Sequence, residues 1–182
     1  MADAIALNLT WTRPASILEL DDLDPKKAGV YIWGFTIDNN LIPYYVGIAD
    51  NIIYRIYEHL HSIVSGDYTI YHYNSLVNFK AFKTEKAQVD KLEGKLYEPN
   101  WPSAYKTFLQ NRKLLQEHID FMLEKFTFSY AVVNRQMEDL KAIEKICIEQ
   151  IGKNNLANTR SGRSDKFLIN HEGHTSFIRI KQ

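Results

Sequence analysis

Arg55 and His59 are four residues apart, so on a helix through residues 52–64 they lie one turn apart on one face. The apolar residues Ile52, Ile53, Ile56, Leu60, Ile63 and Val64 recur at helical spacing and form one stripe, with the pair at its flank. A cation beside an imidazole can hold a phosphate and handle a proton. The same spacing also describes an ordinary surface pair. A second helix is expected over 136–152, with apolar Met137, Leu140, Ile143, Cys147, Ile148 and Ile151. On its wheel Glu144 falls inside the apolar sector, between Ile151 and Met137, whereas Glu149 falls on the charged side with Glu138 and Lys145. A carboxylate in a buried stripe costs several kcal/mol unless a cation or a metal ion compensates it. Glu144 is therefore either a site residue or half of an internal ion pair, with Arg55 as one candidate partner. Tyr31 follows Gly29-Val30, and Tyr45 precedes Val46-Gly47. Glycine beside each tyrosine suggests close backbone approach or an unusual φ.

The elements that must position these groups follow from local pattern. GVYIWGFTI (29–37) and LIPYYVGI (41–48) are rich in β-branched and aromatic residues and read as two strands. Asp38-Asn39-Asn40 is a turn signal between them, so the two form a hairpin whose phenols can share a side. Asp50 or Asn51 caps the helix that follows, and Ser65-Gly66-Asp67 ends it. VNFKAF (77–82) reads as a strand, Val89, Leu92 and Leu96 as a short helix, and Phe108, Leu115, Ile119 and Met122 as a longer helix over 104–125. FTFSYAVVN (126–134) is a third core strand, Gly152 stops the last helix, and TSFIRIK (175–181) is one more strand. The expected fold class is α+β: a small, mainly antiparallel three-stranded sheet flanked by helices, in the order β-β-α-insertion-β-α. The expected division is an N-terminal arm over 1–28, a core domain carrying the candidate residues over 29–152 with an insertion at 65–125, and a basic tail over 153–182.

GVY at 29–31, the run YVGIADNIIYRIYEH (45–59), and IEKICIEQIGKNNLAN (143–158) together resemble the GIY-YIG nuclease superfamily. Arg55 falls ten residues after Tyr45 and His59 four after that, as in the family. The resemblance spans 29–64, 126–152 and the start of the tail. It implies hydrolysis of a phosphodiester with one divalent cation, Mg2+ or Mn2+. Glu144 is then the metal ligand, Arg55 neutralises the phosphate, and Tyr31 is the general base toward water. Tyr45 orients water or phosphate, and His59 hydrogen-bonds a phenol or relays the proton. Gly29, Gly47 and Asn158 support the site, with Asn155 a rival for the last of these. Ile48 stands where a polar residue often follows the glycine, and the stretch from Val64 to Phe126 is a large insertion.

The chain has 182 residues, which suits one domain with an embellishment or one domain plus a small second one, and at 45% hydrophobic it has enough for a packed core. A lone cysteine, Cys147, excludes an internal disulfide. With no apolar run long enough for a bilayer and no signal-peptide pattern at the start, a soluble, cytoplasmic protein without a membrane partner is expected. The formal net charge is zero, which counts mildly against a nucleic-acid protein. The bases are uneven, however, and Lys153, Arg160, Arg163, Lys166, Arg179 and Lys181 crowd the tail. Among relatives in the family, the short stand-alone format looks most like a restriction-type endonuclease. Lys106, Arg112 and Lys113 in the insertion and Arg160, Arg163 and Lys166 in the tail are then candidate contacts to duplex DNA. Cutting both strands with one site per chain favours a homodimer. A catalytically silent binding module of the same fold and a nuclease for RNA or single strands are the alternatives. The pair His171 and His174 lacks the further ligands that a zinc site needs.

Overall fold

The computed structural model describes residues 4–22, 27–37, 40–75, 95–152, 156, 158 and 164–175. They fall into two compact units, 1–53 with 126–182, and 54–125. The expected strand at 77–82 and most of the expected short helix after it lie outside the described residues, as do residues 176–181 of the expected last strand. Leu96, assigned to that short helix, stands in a strand instead.

The first unit is built on a four-stranded sheet rather than the three-stranded one expected. Its strands are β2 (Ala15–Ser16), β3 (Gly29–Ile37), β4 (Asn40–Ala49) and β7 (Phe126–Val132), in the order β2-β7-β3-β4 with every pair antiparallel. The added strand comes from the segment read as an arm, and at two residues it is too short to show any period. A second sheet lies in the same unit: β1 (Ile5–Trp11) runs parallel to β8 (Phe167–Gly173). The arm and the tail thus pair with each other. Helix α3 (Met137–Ile151) follows β7 and ends at Gly152, whose φ of 99° suits glycine and whose N–H bonds the carbonyl of Ile148 at 3.0 Å.

Alternation along the strands divides the main sheet into two faces. Val30, Ile32, Val46 and Ala131 point to one side, where they form a buried cluster with Leu140, Ile143 and Cys147 of α3 and with Leu9, Trp11, Phe167 and Ile169 of the β1–β8 pair. Two polar residues within the main sheet are buried without penalty: Ser129 donates to the carbonyl of Thr12 at 2.7 Å, and the Thr127 and Thr36 hydroxyls meet at 2.8 Å. The opposite face is aromatic. Trp33, Phe35, Phe126 and Phe128 pack there, with centroids 4.3 to 5.5 Å apart. Tyr31 lies two residues before Trp33 on that face.

A bulge interrupts the β3–β4 ladder between Trp33 and Gly34, where the partner jumps from Tyr45 to Pro43. The extra residue, Tyr44, packs on Phe35 and Phe126, while its neighbour Tyr45 packs toward Tyr31. The bulge thereby aims two consecutive tyrosines at one aromatic face, which a regular strand cannot do.

Helix α1 (Ile52–Ser65) begins in the first unit and continues in the second. The second unit also holds a short antiparallel pair, β5 (Ile70–Tyr71) with β6 (Lys95–Tyr97), and helix α2 (Ala104–Lys125). Phe108, Leu115, Ile119 and Met122 form the buried stripe of α2, as the spacing predicts. The Tyr97 hydroxyl shares its proton between the carbonyls of Gly66, at 2.7 Å, and Ala104, at 3.1 Å. No described helix is long and apolar enough to cross a membrane.

Candidate functional site

Tyr31 and Tyr45 are neighbours across the hairpin. Tyr31 pairs with Gly47 and Tyr45 with Trp33, so the two phenols are diagonal partners on one face, with ring centroids 6.3 Å apart. Gly47 is explained by its partner: a Cβ there would fall on Cζ and Oη of Tyr31, well inside van der Waals contact. The ring covers the glycine, and the hydroxyl end is the part that does so. Gly29 is similarly constrained, since a Cβ would run into the carbonyl oxygen of Ala131. Tyr31 is 1% exposed, and Tyr45 is partly exposed.

Asn158 reaches the same strand. Its Oδ1 accepts the Val46 N–H at 3.0 Å, and its Nδ2 donates to the Val46 carbonyl at 2.7 Å. β4 is an edge strand of the main sheet, and the Asn158 amide substitutes for one residue of a missing neighbour between Tyr45 and Gly47. Its rival Asn155 lies outside the described residues. Asn158→Ala is expected to cost about 1–3 kcal/mol, since both hydrogen bonds are partly buried. Urea unfolding measures this, and an unchanged midpoint would remove Asn158 from the support of β4.

Glu144 is half-buried on α3, whereas Glu149 is exposed, as the wheel predicts. Among the described residues no hydrogen bond or ion pair reaches the Glu144 carboxylate. Burial raises its pKa, and the Lys145 cation only partly offsets this. Beside it the Cys147 thiol is fully buried and pushed up to about 12, first by burial and then by the Glu144 charge, which makes the thiol inert. Among the described residues no three His, Cys, Asp or Glu side chains converge as a metal cage. One half-buried carboxylate without a described partner fits a hard cation that keeps most of its waters.

Arg55 and His59 share the polar flank of α1. The Arg55 Nη1 donates to Glu58 Oε2 at 2.7 Å, and the His59 ring meets Tyr68 edge-on at 6.5 Å. Burial, and then the Arg55 cation, push the His59 pKa down to about 3, so the imidazole is neutral at physiological pH. Between the ordinary value of 6.5 and about 3, the unfolded chain binds a proton at His59 that the folded chain does not. Stability therefore falls as pH drops through that window, by up to about 1.4 kcal/mol per pH unit. His59→Gln should flatten part of this slope in urea unfolding followed from neutral pH downward; parallel profiles for the two proteins would contradict it.

The candidate DNA contacts separate. Lys106 and Lys113 are exposed and two turns apart on the outer side of α2. Arg112 points elsewhere: it lies over the Phe108 ring at 5.2 Å and donates to the carbonyl of Val64, in the last turn of α1, at 3.1 Å. Lys166 pairs with Asp139, and Arg160 and Arg163 lie outside the described residues. His171 is structural, accepting from Trp11 Nε1 at 2.9 Å and meeting Gln150 Oε1 at 2.7 Å through its other nitrogen. Glu58 and Tyr68 are the neighbours of the site residues that the motif did not single out. An acid three residues after Arg55 was a readable signal for Glu58; Tyr68 lies past the helix end and carries none.

Compared with protein-family models, with curated proteins and with solved structures, the chain matches none.

Proposed function

We propose that the chain is a divalent-cation-dependent endonuclease of GIY-YIG type, hydrolysing duplex DNA in a restriction-type role. The observation that carries this reading is Glu144: a half-buried carboxylate with no described partner, on the helix where the resemblance expects a metal ligand. The diagonal pair of phenols, Tyr31 of which lies over Gly47, and the Asn158 brace beside them support it.

In this reading Glu144 holds Mg2+ or Mn2+, which when bound would stabilise charge on the scissile phosphate and the leaving oxygen. Arg55 offers its planar fork of donors to the phosphate oxygens. Tyr31, in its phenolate form, takes the proton of the attacking water, and Tyr45, the more exposed phenol, orients that water or the phosphate. His59 is neutral, so it serves as a hydrogen-bond partner and adds no charge at the phosphate. Lys106 and Lys113 are the contacts retained from the insertion helix, and Arg160, Arg163 and Lys166 those of the tail. A homodimer would supply one site per strand.

The test is incubation with Mg2+ and, separately, duplex DNA, single-stranded DNA and RNA, with chelator controls. Discrete fragments from duplex alone are expected. Cleavage confined to RNA or single strands would overturn the substrate, and cleavage of nothing would overturn the enzyme in favour of a binding module.

A further inference from the structure

The Arg55 fork is already engaged. Glu58 sits three residues on along α1, its Oε2 is 2.7 Å from Nη1, and the two side chains are 42% and 43% exposed. An ion pair that exposed is weak, because water and salt screen it and both side chains lose freedom to form it. Screened in this way, the pair is weak enough for another anion to displace it. A guanidinium has five N–H donors, and the carboxylate takes one of its nitrogens. A phosphodiester arriving at the same fork meets a carboxylate charge beside its own.

We propose that Glu58 is a positioning residue that occupies Arg55 until a phosphodiester replaces it, and that it thereby sets how tightly the chain holds nucleic acid. The proposal rests on the reading of Arg55 as the phosphate-binding residue. Its consequence is selective: Glu58 weakens retention of any single phosphate, so a ligand stays bound only when contacts elsewhere along its backbone add to the one at Arg55. Long polyanions satisfy that condition and isolated phosphates do not.

The test measures binding without cleavage, by fluorescence anisotropy of a short labelled duplex in chelator. Glu58→Gln should bind about three- to tenfold more tightly than wild type. Glu58→Asp, which keeps the charge, should stay near wild type. Arg55→Gln should bind more weakly, and the gain from Glu58→Gln should vanish when both substitutions are combined. If Arg55→Gln weakens binding and Glu58→Gln does not tighten it, Glu58 is no placeholder and Arg55 keeps its role. If Arg55→Gln leaves binding unchanged, the phosphate assignment fails, and the role of Glu58 fails with it.

Discussion

Glu144→Gln is expected to lose cation-dependent cleavage by roughly a thousandfold or more, and at the same time to unfold at a higher temperature than the wild type. The two effects have one cause. Burial raises the Glu144 pKa above the ordinary value of 4.5, so the folded chain holds the carboxylate charge less easily than the unfolded chain does. Stability from this group is full at acid pH and is lost as pH rises past the unfolded value. A neutral amide of the same shape avoids that cost at neutral pH. A bound cation would offset it in the wild type, so Mg2+ should raise the melting temperature of the wild type and leave that of Glu144→Gln unmoved. At a hundredfold excess over the dissociation constant the stabilisation is about 2.7 kcal/mol, which a melting curve resolves. Glu149→Ala is the control: the side chain is exposed, and its removal should change stability by less than about 0.5 kcal/mol and leave cleavage intact. Equal stabilisation of wild type and Glu144→Gln by Mg2+ would place the cation elsewhere. A dead Glu149→Ala with an active Glu144→Ala would reverse the assignment.

That Glu144 could be separated from Glu149 by sequence shows what periodicity carries. The hairpin strands, the third core strand and helices α1, α2 and α3 were legible, because each buries one stripe or one face at its own period. The apolar stripe of α2, whose buried members are Ala104, Phe108, Leu115, Ile119 and Met122, is the clearest case. The pairing of β1 with β8 was not legible. Leu9 and Trp11 alternate with Asn8 and Thr10 as a strand should, yet the partner lies more than 150 residues away, and nothing local announces a parallel partner. The same holds within the site. Spacing put Arg55 and His59 on one flank of α1, but not the pairing of Arg55 with Glu58 or the loss of the His59 proton. Lys106, Arg112 and Lys113 looked like one basic group by composition. Arg112 leaves it because its aliphatic stem and planar head cover Phe108 and reach a free carbonyl at the end of α1.

Gly47→Ala should destabilise the hairpin by driving a methyl into the Tyr31 ring. The added carbon would land on Cζ and Oη of Tyr31, and that ring is 1% exposed, so it has little room to withdraw. Overpacking of this kind costs about 1–3 kcal/mol, and here the strain falls on Cζ and the hydroxyl alike. Cleavage should therefore drop even in the fraction of molecules that remain folded. Tyr31→Phe separates the two consequences. It keeps the ring and removes Oη, so it should fold, lose about a hundred- to ten-thousandfold in rate if the hydroxyl is the base, and tolerate alanine at position 47 better than the wild type does. The measurement is a double-mutant cycle in urea with Gly47→Ala, Tyr31→Phe and the pair, read beside single-turnover cleavage. If alanine at position 47 costs as much beside phenylalanine as beside tyrosine, the clash is not with the hydroxyl, and the glycine of the motif serves the backbone alone. If the cost shrinks while the rate stays low, Gly47 is there to let a phenol lie flat across β4, and the glycine and the tyrosine act as one unit.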